Sequence, residues 1–290
     1  LIERDLLVPA GDMYGLDIFG EAVIKARENA KAAGRQINYI NRDFFDFTHK
    51  YLFDEIISNM PLRGKKTREE QDAFAVRSHQ RACKAIKEGK FKDEILPVEL
   101  KDRKGNITIF DTDEGPREGQ SMEKLAKLRP CFVKGGTVTA ANSSSLNDGA
   151  AAVVVMSKEK AEELGVTPKM KIEGYAIAGF DAELMGYSPK FSSEKLANKL
   201  GVDLKSIDMF EINEAFASQA YAVSRDLGLD PEKVNIYGGG ISIGHPIGAT
   251  GAMLTVKVMY ELMRTDKKDA MISMCIGGGQ GISMYFTKCE

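Results

Sequence analysis

The chain has 290 residues, of which 43% are hydrophobic and 28% charged, and its formal net charge is −2. This composition is typical of a globular protein with one large or two ordinary domains. The near-neutral charge excludes a general affinity for nucleic acid or anionic membranes. Because no apolar run approaches the roughly 20 residues of a membrane helix, no membrane partner is expected.

The cysteines indicate the redox compartment. Cys83, Cys131, Cys275 and Cys289 follow neither a zinc-ligand spacing nor a disulfide framework. A reducing, cytoplasmic environment without a bound metal is therefore the simplest expectation. The chain begins at Leu1 and lacks the layout of a signal peptide, which suggests a fragment.

The first part of the chain is predicted to alternate strands and helices. Met13–Ile18 has the pattern of a strand, and residues 21–33 have the pattern of a helix closed by Gly34. Further strands are predicted at residues 37–40 and 53–58. This βαβ order predicts a parallel sheet.

Three short motifs in this segment resemble those of an S-adenosylmethionine-dependent RNA or DNA methylase-like domain. They are Gly15-Leu-Asp17-Ile, Asp43-Phe-Phe45 and Asn59-Met-Pro61. The resemblance implies that Asp17 binds ribose hydroxyls, that Asp43 lies near the adenine and that Asn59 begins the catalytic loop. The family's glycine-rich loop is missing, so loss of methyl transfer is expected. In the alternative interpretation, Asp17 is an ordinary strand-end acid and Asn59 starts a turn.

The pattern changes near Thr67, where a capping box begins a helix that runs to about Gly89. Two strands are predicted at residues 95–100 and 107–110, joined by a turn. The continuous apolar run Ala150–Met156 predicts a strand that is covered on both faces.

A second α/β series is predicted from Lys169 onward. Glycine runs lie at its strand ends and helix starts, where backbone N–H groups can approach a polarised oxygen. The predicted strands are residues 171–178, 207–212, 234–237, 270–274 and 282–286, the helices are 193–200, 213–227 and 248–264, and the glycine runs are 238–251 and 275–281.

Three polar side chains follow strands of this series: Asn213, His245 and Cys275. Taken singly, Asn213 would be a helix N-cap, His245 a structural histidine and Cys275 a core residue. Ligands of open α/β sheets bind at the carboxyl ends of the strands, where all three lie. Together they indicate acid–base and thiol chemistry, with Asn213 orienting a water or polarising a carbonyl.

Residues 67–290 are similar to the C-terminal portion of thiolases, which are acetyl-CoA acetyltransferases. Six motifs in the family's order carry the resemblance: Arg68-Glu-Glu-Gln-Asp72 with Ser78, Phe91-Lys-Asp-Glu-Ile95, Asn142-Ser-Ser-Ser-Leu-Asn-Asp-Gly149, Asn213-Glu-Ala-Phe-Ala217, Gly244-His-Pro-Ile-Gly248 and Cys275-Ile-Gly-Gly-Gly279. The resemblance implies an α/β fold with the layered αβαβα thiolase architecture and an incomplete N-terminal half. Its implied domains are a methyltransferase-like fragment at 1–66, the rest of the N-terminal half with its loop domain at 67–168, and the C-terminal domain at 169–290.

The resemblance also implies a role for each matched residue. His245 would activate the nucleophile, Cys275 would move a proton to or from the acetyl-CoA methyl group, and Asn213 would hold the water of one oxyanion hole. The other implied roles are the backbone N–H of Gly277 in a second oxyanion hole, Ser144 against the pantetheine of CoA and Met185 in the acyl pocket.

The implied reaction is the reversible Claisen condensation and thiolysis of 3-ketoacyl-CoA, with CoA thioesters as substrates, no separate cofactor and a homo-oligomeric enzyme. The family's acyl-accepting cysteine has a Cys-x-Ser-Gly-like context that none of the four cysteines has. We therefore expect a truncated enzyme that keeps the proton-handling half of the site, with a seam within residues 62–73. The alternatives are a non-catalytic CoA or acyl-lipid binding module, a methyltransferase-related fusion and a ketosynthase-like condensing enzyme.

Overall fold

The computed structural model describes the backbone of residues 13–17, 37–41 and 65–289, which fall in two compact units divided after residue 55. In the first unit, β1 (Met13–Asp17) and β2 (Ile37–Asn41) form a parallel pair. The predicted parallel pairing is confirmed for these two strands. The predicted helix between them and the strand at 53–58 lie outside the described residues.

The second unit begins with helix α1 (Lys65–Lys87), which confirms the helix predicted from the capping box. Its buried stripe holds Phe74, Ser78 and Ala82, spaced four residues apart as expected for one face of an α-helix. Within this otherwise apolar stripe, Ser78 offers a hydroxyl to the segments that pack against the helix.

Two short strands follow, β3 (Val98–Lys101) and β4 (Ile107–Phe110), and they pair in antiparallel register. The predicted hairpin is confirmed. Two short helices come next, α2 (Met122–Ala126) and α3 (Lys158–Leu164), each capped by a serine side chain that accepts an N–H of the first turn.

The prediction of a strand at Ala150–Met156 is wrong. This segment is irregular, and Val154 is 86% exposed. A continuous apolar run forms a strand only where a neighbouring strand supplies hydrogen bonds. No strand of the described residues pairs with this segment.

The core of the second unit is a mixed sheet of four strands, β5 (Met170–Gly179), β6 (Phe210–Ile212), β7 (Asp269–Gly277) and β8 (Gln280–Lys288). Strands were correctly predicted at these four places, and their order in the sheet is β5-β8-β7-β6. Strands β6 and β7 are parallel, with Ile212 opposite Ser273, whereas β7 and β8 form an antiparallel hairpin.

Helices cover both faces of this sheet. They are α4 (Ser188–Leu200), α5 (Ala217–Asp226), α6 (Gly240–Ile243) and α7 (Thr250–Arg264). Alternate residues of one strand face opposite sides of a sheet. Accordingly, Met271 of β7 packs in a core with Leu196 of α4, whereas its neighbour Ile272 packs with Leu254 of α7. The described part of this unit is thus an α/β/α arrangement. No helix among the described residues is long and apolar enough to span a bilayer.

The strand predicted at 234–237 is also wrong, because Asn235 has a left-handed backbone with φ of 49°. Its side chain instead makes the two hydrogen bonds that a neighbouring strand backbone would make with Ile212 of β6. Asn235 Oδ1 accepts the Ile212 N–H at 2.8 Å, and its Nδ2 donates to the Ile212 carbonyl at 2.8 Å. The end of β6 is therefore fixed by an amide side chain, which determines where the next residue, Asn213, lies.

A buried charge cluster joins β6 to α7. Lys257 Nζ donates to Glu211 Oε2 at 2.8 Å and to the Gly238 carbonyl at 2.7 Å, and Glu211 is fully buried. Burial raises the pKa of Glu94 and of Asp113, and the positive charge of Lys257 opposes both shifts. Oε2 of Glu94 and Oε1 of Glu211 are buried without a hydrogen-bond partner among the described residues. The cluster thus places three carboxyl groups, those of Glu94, Asp113 and Glu211, near one lysine.

Glu94 is expected to make the protein less stable as the pH rises. Burial raises the pKa of Glu94 to about 7, with Glu211 and Asp113 adding to the effect and Lys257 and Arg264 opposing it. A carboxyl with a raised native pKa carries no penalty below its unfolded pKa of about 4.3, and the full penalty is present above about pH 7. The free energy of unfolding of Glu94→Gln should therefore exceed that of the wild type by roughly 2–3 kcal/mol at pH 8 and equal it at about pH 4.

The measurement is the difference between the two stabilities as a function of pH, so that carboxylates shared by both proteins cancel. Glu99→Gln is the matched control, since Glu99 lies on an exposed strand of the same segment. An equal stability difference at both pH values would contradict the proposed penalty at Glu94.

Candidate functional site

Asn213 and His245, which are far apart in the chain, are in direct contact. Asn213 Nδ2 lies 3.3 Å from His245 Nε2, and the Asn213 N–H donates to the Ser273 carbonyl at 2.9 Å. The helix predicted to start at Asn213 begins instead at Ala217, so Asn213 is not its N-cap. That interpretation was wrong, because the side chain binds the imidazole and leaves the helix start uncapped by a side chain.

The other ring nitrogen of His245 contacts Thr250, the first residue of α7. Nδ1 lies 2.7 Å from Thr250 Oγ1. Burial lowers the pKa of His245 below its ordinary value, so the imidazole is neutral near neutral pH and can accept a proton. Thr250 was not singled out from the sequence, although it lies within the second half of the glycine run 238–251.

Cys275 lies on β7, two residues beyond Ser273, which places it about 7 Å further along the strand. Its strand partner is Gly281 of β8. Burial raises the pKa of the Cys275 thiol, and a hydrogen bond from its own backbone N–H opposes this shift. A thiol of raised pKa stays protonated at neutral pH and is a stronger base once it ionises, which suits proton transfer.

The turn after Cys275 is built from three consecutive glycines with left-handed φ values, 91° at Gly277, 58° at Gly278 and 80° at Gly279. A side chain at Gly279 would collide with the Phe180 carbonyl, so glycine is required there. Gly277 is exposed beside a bulge of the strand, and its backbone is open to a ligand.

Ser144 is brought to the same place by backbone hydrogen bonds. The Ser144 N–H donates to the Ala215 carbonyl at 2.9 Å, two residues beyond Asn213. The N–H of His245 lies 3.4 Å from the carbonyl of Ser145 and donates to it. The segment around Ser144 therefore runs along the edge of the Asn213–His245 pair.

Met185 lies in a 3₁₀ helix, Ala182–Tyr187, and is half-buried. The nearby Phe180 donates its N–H to the Gly279 carbonyl at 2.7 Å, which ties this segment to the glycine turn. The two methylase-like residues have no described connection to this site. Asp17 lies in β1, of which only the backbone is described, and Asp43 lies outside the described residues.

Glu214 is a structural residue of the site that sequence reasoning missed. Its buried carboxylate accepts the Ser78 hydroxyl at 2.6 Å, the Asn235 amide at 2.8 Å and the Ile241 N–H at 3.2 Å. Three donors from three separate segments hold a charge that burial alone would disfavour. Its place next to Asn213 in the motif could have indicated this role, because contacts that hold the Glu214 carboxylate also hold the backbone of Asn213.

A cluster of four buried serines lies next to the strand that binds the backbone of Asn213. The hydroxyls of Ser192 and Ser193 on α4 and of Ser273 and Ser283 on the sheet lie 2.7–3.0 Å apart. Buried hydroxyls that satisfy one another hold α4 and the sheet at a defined distance. Because the Ser273 carbonyl also binds Asn213, the cluster fixes the depth of Asn213 in the sheet.

Comparison with known families agrees with this arrangement. The thiolase C-terminal domain family model matches residues 166–288, and the thiolase N-terminal domain family model matches residues 35–159. An acetyl-CoA acetyltransferase of Chromobacterium violaceum is 41% identical over 280 residues, which is 96% of this chain and 71% of that protein. The chain belongs to the thiolase family.

Solved structures support the same conclusion about the thiolase fold. The Bacillus anthracis acetyl-CoA acetyltransferase superposes with a TM-score of 0.78 and 43% identity over 84% of this chain and 62% of that one. Human mitochondrial 3-ketoacyl-CoA thiolase in complex with CoA superposes with a TM-score of 0.77 and 40% identity, over 82% and 59% of the two chains. The predicted thiolase-like α/β fold class is confirmed. The chain spans 60–63% of the length of the first curated relatives it matches.

The resemblance of residues 1–66 to a methylase is not supported. The thiolase N-terminal family model already begins at residue 35, and the alignment with the Chromobacterium violaceum enzyme leaves only a small part of this thiolase-family chain unmatched. Short motifs at strand ends, such as the one containing Asp17, recur in many α/β proteins and identify none of them alone. The nucleotide-binding roles of Asp17 and Asp43 are therefore withdrawn.

Proposed function

We propose that this thiolase-family chain carries the proton-transfer chemistry of an acetyl-CoA acetyltransferase, in the reversible Claisen condensation and thiolysis of 3-ketoacyl-CoA. The observation that carries the proposal is the Asn213–His245 contact of 3.3 Å, held beside the strand that presents Cys275. A neutral imidazole, an amide and a thiol in one place supply a base, a dipole and a second acid–base group.

The proton step is written on these residues. The Cys275 thiolate takes a proton from the methyl group of the acetyl thioester, so that a C–H bond breaks and an S–H bond forms. The electron pair moves onto the thioester oxygen as an enolate. Asn213 is placed to donate to that oxygen, directly or through one water, and His245 can do so once its Nε2 has taken a proton, because developing negative charge requires preorganised donors. In the reverse direction the thiol returns the proton.

Substrate binding is assigned in the same proposal. Ser144 would contact the pantetheine of CoA, Met185 would line the acyl pocket, and the N–H of Gly277 would face an oxyanion. The backbone contacts of Ser144 with Ala215 and of Phe180 with Gly279 support these roles, since they bring all three segments to the edge of the site. The name of the similar human protein, a 3-ketoacyl-CoA thiolase in complex with CoA, supports a CoA thioester as ligand.

The test is exchange of the acetyl methyl protons of acetyl-CoA with D₂O, followed by proton NMR. This reaction needs the proton step alone and does not depend on an acyl-accepting cysteine. The expected result is loss of the methyl signal faster than in buffer, and saturable in acetyl-CoA. Calorimetry with CoA under the same conditions measures binding independently.

Two outcomes decide between the candidate functions. Binding of CoA without methyl exchange would overturn the proposal in favour of a non-catalytic CoA-binding module. Neither binding nor exchange would overturn both. A covalent acetyl group on any cysteine after incubation with radiolabelled acetyl-CoA would instead contradict the expectation that the nucleophile is absent.

A further inference from the structure

Thr250 has two hydrogen-bond contacts and a single hydroxyl proton. Its Oγ1 lies 2.9 Å from the Pro246 carbonyl and 2.7 Å from Nδ1 of His245. A carbonyl can only accept, so the contact with Pro246 requires that Thr250 donate its proton there. The same oxygen must then accept from His245, which requires a hydrogen on Nδ1.

The contact on the far side of the ring agrees with this assignment. With a hydrogen on Nδ1 of the neutral ring, Nε2 carries a lone pair and accepts from Asn213 Nδ2 at 3.3 Å. The opposite tautomer would need the Asn213 amide reversed, and the Thr250 proton turned away from Pro246. Oδ1 of Asn213, which is buried and unpartnered in the described part of the chain, would then accept from Nε2.

We infer that Thr250 is a positioning residue that holds His245 as the Nδ1–H tautomer, with its Nε2 lone pair directed at Asn213 and the site. Thr250 is 3% exposed, so water does not compete for its hydroxyl. Thr250 itself touches no reacting atom, and it acts by determining which ring nitrogen can take a proton. The tautomer is inferred from these contacts, whereas its use in proton transfer rests on the proposed function.

The direct test reads the ring nitrogens of the full chain, labelled with ¹⁵N-histidine, by two-bond ¹⁵N–¹H correlation NMR at about pH 7.5, where an unperturbed histidine is mostly neutral. The chain has three histidines, and the spectrum of His245→Asn identifies the signals that belong to His245. The wild type is expected to show a protonated Nδ1 and an unprotonated Nε2.

Two substitutions and a matched control complete the test. Thr250→Val keeps the shape and removes the hydroxyl, so the proton should move to Nε2 and be accepted by Oδ1 of Asn213. Thr250→Ser retains the hydroxyl and should restore the wild-type pattern. Thr255→Val removes an equivalent bond on the same helix, from the Thr255 hydroxyl to the Gly251 carbonyl at 2.8 Å, and should leave His245 unchanged.

Three results would overturn the inference: a protonated Nε2 in the wild type, an unchanged pattern in Thr250→Val, or a changed pattern in Thr255→Val. Methyl exchange by the wild type is measured in parallel and tests the proposed function separately. If the wild type shows no exchange but the protonated ring nitrogen changes when the Thr250 hydroxyl is removed, the proposed function fails and the role of Thr250 stands. If exchange proceeds but the protonated nitrogen is the same with and without that hydroxyl, the role of Thr250 fails and the proposed function stands.

Discussion

Cys275→Ala is expected to slow the exchange of acetyl-CoA methyl protons by about 10²–10⁴-fold, the usual contribution of a positioned general base. The alanine side chain removes the only thiol on β7 near Asn213 and leaves the strand intact, because alanine is accommodated at a half-buried position. CoA binding, measured by calorimetry, should change little, since in the proposed step the thiol meets the acetyl methyl group and not the CoA carrier. The loss should therefore appear in the turnover rate and not in the apparent affinity.

The pH profile separates a proton-transfer role from a packing role. Only the thiolate can take the methyl proton, and burial raises the pKa of the Cys275 thiol. Below that pKa the thiolate fraction rises tenfold for each pH unit, so exchange should keep increasing past pH ~8.5, the ordinary cysteine pKa. The residual exchange of Cys275→Ala should lack this rise above the buffer rate.

Cys83→Ala is the matched control for this prediction. Burial raises the pKa of Cys83 as well, but Cys83 lies on α1, in a groove with Lys87 and Glu118. Its replacement should leave methyl exchange unchanged. Equal losses in both variants, or undiminished exchange in Cys275→Ala, would remove Cys275 from the mechanism.

Local sequence patterns predicted most of the described helices and strands. The capping box at Thr67 marked α1 because side-chain caps and apolar periodicity are both properties of a few consecutive residues. The strands β7 and β8 were predicted in the same way, from two apolar runs on either side of a glycine run, although their antiparallel pairing was not predicted. By contrast, the strand at Ala150–Met156 failed because strand formation depends on a partner that the run itself does not specify.

The candidate site was predicted as a set of residues but not as a geometry. Motif matching singled out Asn213 and His245, yet their contact depends on hydrogen bonds that the motifs do not show. Asn235 binds Ile212 and Glu214, the neighbours of Asn213, and Glu214 also binds the N–H of Ile241. Thr250 lies in the glycine run 238–251, but the sequence alone assigned it no role. Its role depends on the two hydrogen-bond distances from its hydroxyl, to Pro246 and to His245. The methylase-like interpretation failed because it relied on three short motifs that no larger match to that family supports.

Lys257→Met is expected to destabilise the protein by about 3–5 kcal/mol at pH 8, the usual loss when one partner of a buried ion pair is removed. Lys257 is the only described hydrogen-bond partner of the Glu211 carboxylate, and Glu211 is fully buried. Methionine fills a similar volume, so the loss reflects charge more than packing. Urea unfolding of both proteins measures it.

The loss should shrink as the pH falls. Burial raises the pKa of Glu211, with Lys257 opposing the shift, so removal of Lys257 raises that pKa further and favours the neutral acid. A protonated Glu211 needs no cation, and the penalty of the variant is therefore greatest at high pH and smallest in acid. This direction is the same as that expected for Glu94, because burial raises the pKa of both carboxyls and Lys257 opposes both shifts.

Two further variants distinguish a buried ion pair from simple packing. Lys257→Met combined with Glu211→Gln removes both charges and should recover most of the stability, since a neutral amide costs far less to bury than a lone carboxylate. Lys160→Met breaks a pair of 2.6 Å with Glu163 on the exposed side of α3, and should cost less than about 1 kcal/mol. A double variant as unstable as Lys257→Met alone would show that the lysine stem, and not its charge, holds β6 against α7.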